Sequence, residues 1–167
     1  AGMCAYDVEL AWLSGMLHDV GRFEQIKRYN TFSDADSVDH AKFGADLLFK
    51  DGLISTFLNG MVKCTGYKPG ALEDRYSSDG VFLYDRLNKS DMEMLELAIR
   101  CHNMYRIPQG LNSREQAFCN VLRDADKVDI FKVNIDTPLE EIYNTTTEEL
   151  MKSDITDEVL EAFDEEH

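Results

Sequence analysis

The chain has four histidines, and beside or near the three internal ones stand aspartates. His18 is followed directly by Asp19, His40 is preceded by Asp39, and the run "RDADKVD" that comes after His102 holds Asp124, Asp126 and Asp129. Imidazole and carboxylate together are the ligands of Zn, Fe, Mn and similar divalent ions, and neutral histidine is the commonest metal ligand. Taken singly, each residue has a plainer explanation, a hydrogen-bonded core imidazole for the histidines and a helix cap for the aspartates. Adjacent residues on a helix point about 100° apart. His18 and Asp19 can therefore serve one site only where a helix ends, and Gly21 is expected to supply that end.

The elements that must position these residues read as helices. Val8, Leu10, Ala11, Trp12, Leu13, Met16 and Leu17 recur at helical spacing, which predicts a helix over Tyr6 to Leu17 buried on most of its circumference. A short segment over Phe23 to Tyr29 follows, then the polar turn "NTFSDADSVD". The next predicted helix runs from about Ser37 to Lys50 with Phe43, Leu47 and Leu48 inward, ends at Gly52, and is followed by a shorter one near Leu53 to Leu58. From Asn59 to Lys89, glycines and Pro69 break any long period, so an irregular excursion covering the site is expected.

After the excursion, Ser90 and Glu93 stand in capping-box relation before the inward face Met94, Leu95, Ala98 and Ile99, with Pro108 as the expected stop. Ser113 and Gln116 suggest a second box, opening a helix that carries Phe118, Val121, Leu122, Ala125, Val128 and Ile130. The tail holds weaker helical stretches at "TEELMK" and "TDEVLEAFDEE". With no repeat, no strand pattern and no domain boundary, the expectation is one all-α bundle of about six to eight helices.

The bulk properties narrow the partners. The 167 residues are 44% hydrophobic, enough for a core, and 17 basic against 32 acidic residues give a net charge of −15. That field repels polyanions and disfavours long DNA or RNA. A small phosphorylated ligand stays possible, because a bound metal or a few cations invert the field within one cleft. Neither a signal-peptide pattern nor an apolar run of about 20 residues is present, so a soluble cytoplasmic protein without a membrane partner is expected. Cys4, Cys64, Cys101 and Cys119 show no metal-binding or redox spacing and are expected to be reduced.

Four blocks in order, "LHDVGR" at Leu17 to Arg22, "DHAKFGADLLF" at Asp39 to Phe49, "AIRCHNMY" at Ala98 to Tyr105 and "RDADKVDIF" at Arg123 to Phe131, resemble the HD-domain superfamily of metal-dependent phosphohydrolases. The resemblance spans roughly Tyr6 to Phe131. It implies an HD-domain helical bundle in which His18 binds one metal, Asp19 bridges two, Asp126 holds the first, and His40 and His102 bind the second. Asp124 is the rival of Asp126; the family's ligand usually stands directly before the basic residue, here Lys127. Asp39 reads as a cap or as a partner of a ligand.

Arg22 and Lys127 are the candidate cations for non-bridging phosphate oxygens, with Arg106 a third; Arg100 and Arg123 read as helix-surface residues. The family pattern opens with a further histidine on a preceding helix, and no histidine precedes His18. The resemblance then implies a first metal bound more weakly. The implied substrate is a nucleotide or other small phosphate ester. Cyclic dinucleotides are disfavoured because "HNMYRIPQGL" lacks a second histidine and the tripeptide that marks that group. A di-iron oxygenase and an HD module that binds without turnover share the same ligand set and stay open.

Overall fold

Helical periodicity is what the chain forms. The structure, a computed structural model, describes residues 3–64, 87–143, 146–152 and 154–165, and every regular element among them is a helix. The all-α class expected from the pattern holds. None of the described helices is long and apolar enough to cross a membrane.

Helix α1 (Ala5–Leu17) gives way to α2 (Val20–Tyr29) through a junction of only two residues, His18 and Asp19. Gly21, expected as the stop of α1, instead lies in the first turn of α2. It is needed there for contact: a Cβ on Gly21 would collide with the His40 carbonyl oxygen and come within 2.7 Å of the Gly44 amide nitrogen. The backbones of α2 and α3 (His40–Ala45) thus touch at a glycine pair. Helix α2 closes on Asn30, which takes the left-handed conformation (φ 55°) and donates its N–H to the Ile26 carbonyl.

Helix α3 (His40–Ala45) starts three residues later than the pattern suggests, because Asp39 is its cap and accepts the Lys42 N–H at 3.1 Å. It widens into a π-helical turn over Asp46–Lys50 and stops before Gly52 (φ 78°). Helix α4 (Leu53–Cys64) is longer than expected and takes in the first residues of the supposed excursion. The rest of that excursion, 65–86, lies outside the described residues.

Helix α5 (Lys89–Cys101) is opened by Asn88 and Asp91, not by Ser90 and Glu93. Asn88 is extended, its side chain accepts the Asp91 N–H, and Asp91 Oδ2 accepts the Asn88 N–H in return. Asp91 is buried and further held by the Tyr6 hydroxyl and the Arg114 guanidinium, which ties the starts of α1, α5 and the helix that opens at Ser113 together. The helix ends well before Pro108, in a turn closed by the Met104 N–H on the Cys101 carbonyl. Helix α6 (Ser113–Asp136) begins with a reciprocal pair of Asn112 and Glu115, here one residue ahead of the Ser113 and Gln116 pattern.

Contacts divide the chain into two units, Ala1–Asp126 and Lys127–His167, the division falling inside α6. In the first unit, Leu10, Leu13 and Leu17 of α1, Ala45 and Leu48, Met94, Leu95, Ala98 and Ile99 of α5, and Phe118 and Leu122 of α6 form one buried cluster. Only one face of α1 enters it. Val8, Trp12 and Met16, predicted to be buried, are about half exposed, because they follow one another at four-residue spacing on the opposite face. The second unit continues α6 and adds α7 (Leu139–Tyr143), α8 (Thr147–Leu150) and α9 (Asp157–Glu165). Thr146 and Glu149 box the start of α8.

The contact at Gly21 predicts an asymmetry between two helical glycines. Gly21→Ala must force α2 and α3 apart and is expected to cost about 1–3 kcal/mol as overpacking. Gly15→Ala, with nothing within 4 Å of the added Cβ, is expected to gain about 0.5–1 kcal/mol. Urea unfolding midpoints of the two variants check both signs.

Candidate metal centre

Each candidate ligand except one occupies or adjoins a helix end. His18 is the C-cap of α1, Asp19 the N-cap residue of α2, His40 the first residue of α3 and His102 the C-cap of α5, while Asp126 comes from within α6. The last carbonyls of a helix have no intrahelical donor. His18 and His102 supply one: each turns its Nδ1 back to the carbonyl three residues earlier, His18 to Gly15 and His102 to Ile99, both at 2.7 Å. His40 donates its Nδ1 to the Asp34 carboxylate, 2.7 Å to Oδ2 and 2.9 Å to Oδ1. With every Nδ1 engaged as a donor, the Nε2 of each ring in its neutral form carries a lone pair toward the same place.

That place is the Asp19 carboxylate. Asp19 Oδ1 is 3.4 Å from His40 Nε2 and 3.6 Å from His102 Nε2; Asp19 Oδ2 is 3.6 Å from His18 Nε2. Asp126 Oδ1 lies 3.5 Å from the same His18 Nε2. The Nε2 atoms of His40 and His102 are 3.1 Å apart. Two lone pairs facing each other at that distance repel unless a proton or a metal ion lies between them. Asp19 Oδ1 is buried and has no hydrogen-bond partner among the described residues. An orphaned carboxylate oxygen facing converging imidazole nitrogens fits a divalent cation, and His18, Asp19 and His102 alone bring one ligand atom each within 4.8 Å of one another.

The charges of the group are mutually adjusted. Burial works against ionised Asp19, yet His102, His18, Arg22 and His40 around it hold its carboxyl below the ordinary aspartate range. Burial also opposes a charged His18, but Asp126, the Gly15 carbonyl and Asp19 outweigh it and raise its pKa. His40 goes the other way. Burial and the neighbouring Arg22 lower its pKa despite Asp34 and Asp19, which favours the neutral imidazole a metal requires.

The remaining candidates are placed less centrally. Arg22 is anchored by donating to the Phe32 carbonyl at 3.0 Å, with its Nε 3.4 Å from Asp19 Oδ1. Lys127 is exposed on α6, one residue past Asp126, and Asp124 is exposed as well. Asp39 caps α3 and accepts from the Asn103 amide at 3.0 Å. Arg100 pairs with Asp46 and Glu96, Arg123 donates to the Tyr105 carbonyl, and Arg106 lies over the Tyr105 ring. Cys101 and Cys119 are buried free thiols, pushed up in pKa by burial, Cys119 to about 11. Reading the sequence missed Asp34 and the fully buried Gln25, whose Nε2 shares its two protons among Asp34 Oδ1, Ser37 Oγ and the Val38 carbonyl. No spacing rule singles out either one.

No family model matches the chain, and neither a curated protein nor a solved structure matches it.

A site of this kind makes folding depend on metal. Mn²⁺ or Zn²⁺ at about a hundredfold above its dissociation constant is expected to add about 2.7 kcal/mol of stability through preferential binding to the native state. Thermal unfolding with metal and with chelator measures this. Asp19→Ala is expected to abolish the difference.

Proposed function

We propose that the protein is an HD-type metal-dependent phosphohydrolase acting on a nucleotide or other small phosphate ester or anhydride, with His18, Asp19, His40, His102 and Asp126 holding one or two divalent ions. The observation that carries this reading is the convergence of three imidazole Nε2 atoms on one carboxylate, two of them on its buried Oδ1, which has no hydrogen-bond partner among the described residues. The four sequence blocks that resemble the superfamily supply these same residues. When bound, such ions supply a water acidified toward neutrality and polarise the phosphoryl oxygens.

The chain's own residues then have distinct roles. Asp19 offers both carboxylate oxygens, one toward His18 and one toward the His40 and His102 pair, which suits a bridging ligand. Arg22, fixed through Phe32, holds positive charge beside Asp19 where a non-bridging phosphate oxygen would be met. Lys127 is the second candidate for that role by its place next to Asp126. A net charge of −15 favours a small substrate over a polyanion, since local charge at the site would be set by bound ions and Arg22. The His and Asp mixture is compatible with Mn, Fe, Mg, Zn or Ni. A cytoplasmic location goes with this reading, as Cys101 and Cys119 are unpaired thiols.

A module that binds a nucleotide without turning it over would use the same ligands and is the main alternative. The di-iron oxygenase shares the ligand set and is separable by its redox chemistry. Phosphate release from a nucleotide panel in the presence of Mn²⁺ tests the proposal, and Asp19→Ala is expected to lower the rate about a thousandfold or more, the scale of several kcal/mol of lost transition-state stabilisation. Bound metal with no release from any nucleotide supports the binding module instead. Oxygen uptake by an iron-loaded form supports the oxygenase.

A further inference from the structure

Three imidazoles present Nε2 to Asp19, but only one of them depends on another side chain to do so. His18 and His102 are oriented by backbone carbonyls three residues back, which lie within reach because each histidine closes a helix. His40 begins a helix instead of ending one and has no carbonyl behind it to accept its Nδ1 proton. Its acceptor is Asp34, six residues earlier in the polar turn.

The turn is built around that aspartate. Gln25, fully buried in α2, shares its two amide protons among Asp34 Oδ1, Ser37 Oγ and the Val38 carbonyl, so one amide pins both arms of the turn. Arg22 donates to the Phe32 carbonyl and places Nη1 3.8 Å from Asp34 Oδ1 while its Nε faces Asp19. Asn103, beside His102, reaches Asp39 and more distantly Asp34. Donors from α2 and from the end of α5 thereby converge on a carboxylate whose shortest contact is the His40 ring. Burial would raise the pKa of Asp34, but Gln25, His40 and Arg22 outweigh it and hold the carboxyl below the usual range.

We infer that Asp34 is a positioning residue: by accepting the Nδ1 proton of His40 it commits the Nε2 lone pair of His40 to the metal centre, as backbone carbonyls do for His18 and His102. A carboxylate behind an imidazole also raises the basicity of the ligating nitrogen, and removing such a partner costs about 10–100-fold in metal affinity. The inference rests on the reading of these residues as a metal site and is independent of which reaction the site performs.

Two readouts on Asp34→Ala test it, neither of which needs activity. Imidazole ¹⁵N–¹H correlation spectra of the metal-free protein show which ring nitrogen carries the proton, and calorimetric titration with Mn²⁺ or Zn²⁺ gives the affinity. In the wild type, His40 is expected to carry its proton on Nδ1. Asp34→Ala is expected to shift His40 toward the Nε2–H form, leave His18 and His102 unchanged, and weaken metal binding about 10–100-fold. Asp34→Asn, whose amide oxygen still accepts from Nδ1, is expected to keep the tautomer with a smaller loss of affinity, and it carries the test if the alanine variant does not fold. Asp36→Ala, an exposed position in the same turn with the same change of charge, is expected to alter neither readout.

Overturning results are an Asp34→Ala protein with its His40 proton still on Nδ1 or with wild-type metal affinity, an Asp34→Asn protein with no loss of affinity, or an Asp36→Ala loss as large as that of Asp34→Ala. A His40 tautomer that switches as expected in a protein binding no metal refutes the metal reading, and with it the affinity half of the assignment. Metal binding that weakens as expected in a protein without phosphohydrolase activity refutes the proposed reaction and upholds Asp34.

Discussion

A buried carboxylate oxygen without a hydrogen-bond donor among the described residues, Asp19 Oδ1, is the constraint around which this site is arranged. Leaving such an atom unpaired is costly, more so for an ionised group than for a neutral one. Its nearest neighbours are Arg22 Nε and two imidazole nitrogens; the rings, while neutral, have their protons committed elsewhere and cannot relieve it, and Arg22 at 3.4 Å contributes charge without a hydrogen bond. The arrangement is unfavourable as a set of neutral hydrogen-bonding groups and favourable around a cation.

The fold brings the four groups together through short connections and one close approach. Two residues separate α1 from α2, which forces His18 and Asp19 into a single corner. The glycine pair Gly21 and Gly44 then lets the α2 backbone meet the first turn of α3, and the atom Gly21 approaches is the carbonyl of His40 itself. A side chain at Gly21 would therefore displace a ligand as well as a helix. On the far side, α5 is fixed at its start by Asn88 and by the buried Asp91 with Tyr6 and Arg114, and it delivers His102 at its end. Apolar packing of α1, α3, α5 and α6 supplies the stability, and helix ends supply the chemistry.

How much of this is legible in the sequence differs from residue to residue, for physical reasons. The adjacency of His18 and Asp19 at the end of an apolar segment carries its own message, since two neighbouring residues converge only where a helix stops. The helical class is equally open, because the period of the apolar residues survives any error in the boundaries. Gly21 marks the right place in the chain without revealing its role, because a glycine that ends a helix and one that admits a neighbouring backbone look alike until the neighbour is known. Asn88 and Asn112 compete as caps with serines one or two residues later, and as Ser and Asn cap comparably well, only backbone conformation chooses between them. Trp12 and Val8 suggest burial by composition alone. Asp34 is hidden among Asp36 and Asp39 in one polar turn, and which of the three faces His40 is decided by Gln25, a contact no local pattern encodes.

The central claim is that His18, His40 and His102 offer Nε2, together with Asp19, to a common metal centre. Crystals of the protein grown with Mn²⁺ or Zn²⁺, with anomalous differences recorded at the absorption edge of that metal, test it most directly. The predicted result is a peak about 2.0–2.2 Å from the Asp19 carboxylate and from Nε2 of His40 and His102. An ion bound elsewhere, one ligated through Nδ1 of these histidines, or Asp19 left without metal in a crystal saturated with it would contradict the claim.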